Sequence, residues 1–232
     1  MQELDGTIFY ADGDTLMKIT TPLTGTPAQD GSSGQGKPSS GNAITGMAVM
    51  GNQLFLVANG VIYQRTATNT YGSYNSDNTY SRLWSAKGRL IASDTSGVLY
   101  EIEPSSSSAG ADTTIHTLRN GRNWTDVCDA GAVVLATADD GYIYSFADES
   151  ATLALKGQTY VEGEVPNAID AVQGFIFYGT YQNTASGKIG RLYRAEITNA
   201  NSLYVLINAQ LIKQWGCLLY TSDAADEEDS VD

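Results

Sequence analysis

Two aspartates have the type and spacing that could do chemistry in this sequence. Asp126, in TDV, and Asp170, in IDA, occupy similar places in two short apolar segments. Two carboxylates that face each other across a channel could act as acid and base on a glycosidic bond, or could bind Ca²⁺. The corresponding segments around Gly46 and Leu83 carry no acid. The pattern therefore favours aspartates that accept hydrogen bonds from a backbone turn.

Three tyrosines offer a different chemistry. The segment 66–81, TATNTYGSYNSDNTYS, reads as an insertion that places Tyr71, Tyr74 and Tyr80 among asparagine, serine and threonine. Aromatic faces beside amide side chains suit the recognition of a sugar or a protein, because stacking combines with directional hydrogen bonds at low entropic cost. The alternative is that these rings cover the edge of a sheet. These tyrosines and the two aspartates are the candidate binding residues.

Other catalytic and metal-binding chemistry has little support in the sequence. One histidine, His116, cannot form a zinc site with the lone cysteine of residues 1–216, Cys128, and it suggests no nucleophile–histidine–acid set. The acidic stretches at 11–14 and 138–141 lack the further ligands of a calcium-binding loop. We expect no catalytic residues, no metal site and no cofactor, and we expect Cys128 to be a buried core residue.

The elements that must position these residues are repeated along the chain. Five segments begin at Gly6, Gly51, Gly88, Gly131 and Gly174, which are 45, 37, 43 and 43 residues apart. Each continues with an apolar strand, a polar turn and a second strand. That second strand carries Tyr63, Tyr100, Tyr144 or Tyr193 at the same place, and Met17 in the first copy. Turn dipeptides such as Asn59-Gly60 and Asp140-Gly141 are typical of tight β-hairpins.

The repeat period predicts the architecture. Flanking segments leave room for two more strands around each hairpin, and no segment has a sustained helical periodicity. Four strands in about 40–45 residues is the unit of a β-propeller blade, whereas the rungs of a right-handed β-helix are much shorter. The sequence therefore predicts an all-β fold, a β-propeller of four-stranded antiparallel blades with about five blades visible out of about five to eight.

The copies resemble β-propeller repeats of the quinoprotein-like and WD-like kind, in which a Gly-anchored strand, a Gly-containing turn and a tyrosine-bearing strand recur. The resemblance covers most of residues 1–216, and it implies the fold rather than a chemistry. The Gly-His and Trp-Asp marks of WD repeats are absent, as are the tryptophan-docking signature of quinoprotein blades and the Asp box of sialidases.

Composition divides the chain into a propeller and two unusual segments. Residues 24–42 are rich in glycine, serine and proline, which predicts a flexible insertion in the first blade. Residues 217–232 contain six acids and no base. This end could be a solvated acidic tail, but Cys217–Glu227 is similar to the translation of a transposase-type sequencing adapter. That resemblance implies a non-native tail and an interrupted reading frame, with the propeller fragment at 1–216.

Charge and hydropathy exclude two classes of partner. Without residues 217–232 the chain has 20 acidic and 13 basic residues. This mild acidity argues against a nonspecific nucleic-acid surface, which needs clustered lysine and arginine. There is no apolar run long enough to insert into a membrane, and the first residues lack the apolar centre of a signal peptide.

These observations favour a non-catalytic binding or scaffold propeller whose partner is a protein or a cell-surface glycan. The polar-aromatic loops and the GRLYRAEI segment look like tail-associated propellers of bacteriophages. That resemblance implies a virion component, assembled as an oligomer and found in the virion or outside the cell. Two alternatives remain open. One is a carbohydrate-active or quinone-dependent enzyme with catalytic residues beyond Gly216, and the other is a bacterial surface or periplasmic assembly propeller.

Overall fold

The computed structural model describes residues 1–22, 24–32, 34–102, 112–150, 152–185 and 187–216. Within these ranges the chain forms twenty β-strands, arranged in five sheets of four strands each. No helix long and apolar enough to span a membrane occurs in this part of the chain. The acidic segment 217–232, for which the sequence predicts an adapter-derived tail, lies outside the described residues.

The strands follow one another without rearrangement. Sheet 1 contains β1 (Gln2–Leu4), β2 (Thr7–Asp12), β3 (Thr15–Ile19) and β4 (Ala28–Gln29). Sheet 2 contains β5 (Ile44–Met50), β6 (Gln53–Ala58), β7 (Val61–Ala67) and β8 (Thr70–Asn75). Sheet 3 contains β9 (Tyr80–Ala86), β10 (Arg89–Asp94), β11 (Val98–Ile102) and β12 (Thr113–Thr117). Sheet 4 contains β13 (Trp124–Asp129), β14 (Val134–Ala138), β15 (Tyr142–Glu149) and β16 (Thr152–Tyr160). Sheet 5 contains β17 (Val165–Val172), β18 (Phe175–Thr184), β19 (Gly187–Ala200) and β20 (Leu203–Gly216).

Every sheet is an antiparallel meander in which consecutive strands pair. The main contacts between sheets join consecutive sheets, and the first strands β1, β5, β9, β13 and β17 pack beside one another. These first strands therefore form the inner side of the arrangement. The prediction of four-stranded antiparallel blades, five of them visible, is confirmed.

The repeated glycines lie in the turns between the first and second strands. All five have a positive φ, of 73° at Gly6, 54° at Gly51, 70° at Gly88, 76° at Gly131 and 83° at Gly174. In sheet 3 the turn is the pair Lys87-Gly88, because Ala86 pairs directly with Arg89. Both turn residues have positive φ, as a two-residue type I′ hairpin requires. The glycine repeat in the sequence is thus a repeat of left-handed turns.

The core consists of apolar layers between consecutive sheets. The second strands supply its most continuously buried segments: all of Leu54–Ala58 in β6 and all of β14 are buried. A strand that is covered on both faces must be apolar on both faces. This explains why the second-strand segments LFLVA and AVVLAT show no alternation of polar and apolar residues. Trp124 is fully buried between sheets 3 and 4, where its indole nitrogen donates to the Gly97 carbonyl at 2.9 Å.

The tyrosines of the third strands form a repeated contact with acids. Their hydroxyls donate to carboxylates in three sheets: Tyr100 to Asp94 (3.0 Å), Tyr144 to Asp140 (2.5 Å) and Tyr193 to Glu164 (2.9 Å). Asp94 is the last residue of β10, and Asp140 lies in the turn between β14 and β15, so both carboxylates stand where the second strand leads into the third. Burial, together with the adjacent Asp94 carboxylate, raises the pKa of Tyr100 to about 12. In sheets 3 and 4 the tyrosine thus links the third strand to the end of the second strand or the turn after it, whereas Tyr193 links β19 to the connection between sheets 4 and 5.

Two loop-like segments contribute strands. Segment 66–81 contains all of β8 and the start of β9, so it is largely part of sheets 2 and 3. Segment 24–42 contains the short strand β4 and the fully buried Asp30. The flexibility expected of 24–42 from its composition stays a prediction.

The edge strand of sheet 5, β20, is open to solvent along most of its length. Large apolar side chains are exposed along β20: Leu203, Ile207, Leu211, Ile212 and Trp215. An exposed apolar strand of this length, at the edge of a sheet, is a place where other strands or sheets can pack.

Candidate functional site

A polar cleft of about 510 Å³ opens where the first strands of sheets 3, 4 and 5 begin. We call it the central cleft. Ser81 and Arg82 line it from β9, Thr125 from β13 and Asn167 from β17. Residues of neighbouring turns complete the lining, among them Thr95, Asn123 and Asp139. The cleft therefore gathers side chains from three blades, each presented at a strand end or in a tight turn.

Hydrogen bonds fix much of the central cleft. Arg82 donates from Nη1 to the Thr125 carbonyl at 2.8 Å, which links sheets 3 and 4. The Thr125 hydroxyl donates to the Pro166 carbonyl at 3.0 Å, which links sheets 4 and 5. Asn123 donates to Asp139 from its backbone N–H at 2.8 Å and from its amide at 3.1 Å. These hydrogen bonds preorganise the lining of the cleft in the absence of a ligand.

Two groups in the central cleft remain available. The Asn167 amide is exposed, and nothing in the described part of the chain hydrogen-bonds to it. Arg82 is also exposed and uses one nitrogen in the contact with Thr125. An amide that both donates and accepts, across a cleft from a guanidinium donor, can satisfy the carbonyl and N–H groups of a bound chain.

Asp126 joins the first strands of three sheets. Its Oδ1 accepts from the Trp84 indole at 3.1 Å and from the Val127 N–H at 2.9 Å, and its Oδ2 accepts from the Ile169 N–H at 2.9 Å. Burial raises the pKa of this carboxyl, against the lowering effect of those hydrogen bonds. Each oxygen accepts at least one hydrogen bond from the protein itself, so the carboxylate of Asp126 connects the first strands of sheets 3, 4 and 5.

Asp170 is exposed on β17, where its Oδ1 accepts from the Ala171 N–H at 2.8 Å. The expectation that the two aspartates hold similar places in their blades is wrong in register. Asp126 precedes Val127, which aligns through β14 with Tyr144, whereas Asp170 follows Ile169, which aligns through β18 with Tyr193. The aspartates are therefore two positions apart relative to the repeated tyrosines. The negative charge of Asp170 nevertheless contributes to the raised pKa of Asp126.

Tyr71 belongs to a buried ionic cluster between sheets 1 and 2. Its hydroxyl donates a hydrogen bond to the Asp30 carboxylate at 2.9 Å. Arg65 makes a bidentate contact with the same carboxylate at 2.7 and 2.8 Å, and the Asn69 N–H donates to it at 3.0 Å. Lys18 approaches the same carboxylate at 3.3 Å. Burial opposes the charge of Asp30, yet these hydrogen bonds lower its pKa to about 2.

Tyr74 and Tyr80 contribute to the core between sheets 2 and 3. The Tyr74 ring meets Phe55 edge to face, with ring centroids 4.9 Å apart. Tyr80 is only 3% exposed, and its hydroxyl donates to Asn75 at 2.6 Å and to Asp112. The three tyrosines thus lie in the packing of sheets 1 to 3, away from Asp126 and Asp170. The five candidate binding residues do not form one site.

The sequence analysis does not identify the residues of the central cleft as candidate binding residues. Arg82, Asn123 and Asn167 stand just before or within the first strand of their repeats. An alignment of the segments upstream of the repeated glycines could have pointed to them, because each blade presents the start of its first strand at the same end. Among the described residues, no group of three or more His, Cys, Asp or Glu side chains could hold a metal ion.

Known proteins resemble this chain in structure but not in sequence. No protein-family model matches it, and no curated protein matches it in sequence. The extracellular domain of the one-component system BT4673 from B. thetaiotaomicron matches with a TM-score of 0.60 and 12% identity, over 91% of this chain and 27% of that one. A protein from Lactobacillus plantarum matches with a TM-score of 0.59 and 13% identity, over 90% and 67%. YCF48 bound to a D1 peptide matches with a TM-score of 0.53 and 9% identity, over 88% and 64%.

This chain spans about a quarter of the BT4673 domain and about two thirds of the other two chains. At such low identities the likeness shows the fold alone. With five four-stranded antiparallel sheets in chain order and neighbours of this kind, the chain has a β-propeller fold of which five blades are visible.

Proposed function

We propose that this chain is a non-catalytic recognition propeller that binds an extended polypeptide segment in the central cleft. The observation that carries the proposal is the pairing of Arg82 and Asn167. They present free hydrogen-bonding groups from two different blades across one preorganised cleft. An extended backbone offers alternating carbonyl and N–H groups, which match a guanidinium and an amide.

The geometry of the acids supports a non-catalytic role. General acid–base catalysis needs carboxylates that can reach a substrate proton. Asp126 uses both oxygens to hold three strands, and Asp170 lies two positions out of register with it. No described contact favours the carbohydrate-active or quinone-dependent alternative.

We propose further that the protein acts outside the cell or on a bacterial surface. The extracellular domain of BT4673 shares the fold, which agrees with a place outside the cell or on a bacterial surface. Membership of a phage tail virion, with assembly into an oligomer, stays a prediction from loop composition and from the GRLYRAEI segment.

Selection from a phage-displayed library of random dodecapeptides tests the proposal. We expect enriched peptides that bind the purified chain in isothermal titration calorimetry. The double variant Arg82→Ala, Asn167→Ala should weaken that binding by about tenfold or more, or about 1.4 kcal/mol. The control is Arg194→Ala, Asn208→Ala, which removes the same residue types from sheet 5.

Two results would contradict the proposal. One is that no peptide is enriched over a selection on an unrelated protein. The other is that enriched peptides bind the double variant at Arg82 and Asn167 as tightly as the unaltered chain. Thermal unfolding of both double variants shows whether a loss of binding reflects a loss of fold.

A further inference from the structure

A second cleft lies between the outer parts of sheets 3 and 4. Its volume is about 550 Å³, and it shares no lining residue with the central cleft. We call it the lateral groove. His116 and Thr117 at the end of β12, with Arg119 just beyond, form one wall, and Tyr142 on β15 and Gln158 on β16 form the other. Its size falls in the range of about 300–1,000 Å³ that is usual for small-molecule sites.

A row of aromatic rings runs along this groove. Tyr160 lies beside Tyr142 with ring centroids 5.0 Å apart, Tyr142 is 6.1 Å from Tyr144, and Tyr144 is 5.4 Å from His116. Tyr160 is 57% exposed and Tyr142 is half-buried, whereas Tyr144 is buried. The row therefore runs from an exposed ring, through the buried Tyr144, to His116 in one wall of the groove.

His116 brings an unused hydrogen-bonding group to the wall of the groove. Within the described residues no group hydrogen-bonds to its imidazole, and neither ring nitrogen is enclosed without a partner. Both ring nitrogens therefore keep accessible surface, and His116 is one of the residues that line the groove. Burial lowers the pKa of His116, although the Asp140 carboxylate opposes this. At neutral pH the ring is then uncharged, with one nitrogen that donates and one that accepts.

The remaining polar groups surround the aromatic row. Asp140 accepts from the Tyr144 hydroxyl at 2.5 Å and from the Tyr142 N–H at 3.1 Å, so it is fixed beneath the rings. Gln158 and Arg119 are exposed at the rim. The groove thus combines the Asp140 carboxylate, the Arg119 guanidinium, the Gln158 amide and a neutral imidazole with the half-buried ring of Tyr142.

We propose that the lateral groove is a saccharide-binding site, in which Tyr142 stacks on a sugar ring while His116, Gln158 and Arg119 hydrogen-bond to its hydroxyls. A pyranose has a face of C–H groups and an edge of hydroxyls that donate and accept, and this is the complement of the groove. An apolar ligand would leave these polar groups unpaired, which costs free energy. This site is independent of peptide binding in the central cleft.

The single histidine of the chain gives a direct assay. In untagged protein the imidazole proton signals of His116 need no assignment by mutation. We expect at least one of cellobiose, lactose, maltose and N,N′-diacetylchitobiose to shift them saturably at constant pH. Tyr142→Ala should weaken that binding about tenfold, and Tyr142→Phe, which keeps the ring, should retain it.

Gln158→Ala tests saccharide binding in the lateral groove if Tyr142→Ala does not fold. Gln158 is exposed, so its replacement leaves the core intact. It should weaken binding severalfold, while Gln53→Ala and Trp215→Ala, exposed residues on sheets 2 and 5, should leave it unchanged. The proposal is wrong if none of the four disaccharides moves the His116 signals, or if both groove variants bind as the unaltered chain does. It is also wrong if peptides selected on the chain, and no sugar, shift His116, since the groove would then bind polypeptide.

Discussion

Replacing Asp30 with asparagine should weaken the junction between sheets 1 and 2. The Asp30 carboxylate is fully buried and is shared by Arg65, Lys18, the Asn69 N–H and the Tyr71 hydroxyl. An asparagine of nearly the same shape would keep the volume but lose the charge. It would leave two cations beside a neutral amide, and one amide N–H would face the donors that now point at the carboxylate.

The size of the effect follows from the pKa of Asp30. It falls from 3.8 to about 2 on folding, and each pKa unit corresponds to about 1.4 kcal/mol, so ionisation favours the fold by about 2 kcal/mol. Removing one partner of a buried ion pair costs about 3–5 kcal/mol. Because Arg65 is 16% exposed and Lys18 21% exposed, water reduces that figure. We expect Asp30→Asn to lower the free energy of unfolding by about 2–4 kcal/mol.

The effect must depend on pH in one direction. The folded pKa of Asp30 lies below the unfolded one, so its stabilisation is complete above about pH 4 and is lost as the pH falls towards 2. Asparagine does not titrate. The difference in stability between the two proteins should therefore shrink across this window and stay constant at higher pH.

Urea unfolding followed by tryptophan fluorescence, at several pH values from neutral to acid, measures both quantities. The matched control is Glu149→Gln, which breaks the exposed ion pair with Lys156 and should cost less than about 1 kcal/mol. The reasoning is refuted if Asp30→Asn costs no more than the control. It is refuted equally if the cost of Asp30→Asn is the same at pH 3 as at pH 7.

Two further predictions concern single residues. A Cβ at Gly157 would overlap the backbone carbonyl oxygen of Tyr204 on the next sheet, whereas Gly88 has open space and only a positive φ of 70°. In urea unfolding, Gly157→Ala should therefore cost about 3 kcal/mol and Gly88→Ala about 1 kcal/mol, and equal costs would contradict this. Burial raises the pKa of the Cys128 thiol to about 12. In a Cys217→Ser variant, Ellman's reagent at pH 8 should label Cys128 only after denaturant is added, and rapid labelling of the native protein would be inconsistent with its burial.

The blade pattern could be predicted because residues close together in the sequence determine its turns and its buried strands. A glycine that must adopt positive φ, followed by a strand that is apolar on both faces, identifies the Lys87-Gly88 turn and β10 without tertiary information. The fourth strand of each blade is harder to predict from the sequence. Strand β8 is polar on both faces, so its composition is that of a loop, and only its pairing with β7 reveals it.

The candidate site was less predictable than the fold. Tyr71, Tyr74 and Tyr80 have the composition of a binding loop, but their rings and hydroxyls are used in contacts between sheets. Composition cannot tell a tyrosine that faces solvent from one whose hydroxyl meets a distant carboxylate such as Asp30 or Asp112. The clefts are formed by residues that are far apart in sequence and ordinary in type, such as Asn167. Whether such residues line a cleft depends on which strand ends lie together in the folded chain.

The meander order of the sheets has a consequence for how the chain folds. Every strand pairs with the strand beside it in sequence, and sheets pack mainly on the sheets before and after them. Loop closures are therefore short, which lowers contact order and should speed folding relative to β-sandwiches that pair distant strands. Stability in such an array is a sum of nearest-neighbour terms. Hydrogen exchange should accordingly be slower in sheets 2, 3 and 4, which are each covered on both sides, than in sheets 1 and 5, which each pack mainly on one described sheet. A nascent chain can complete each blade as it emerges from the ribosome.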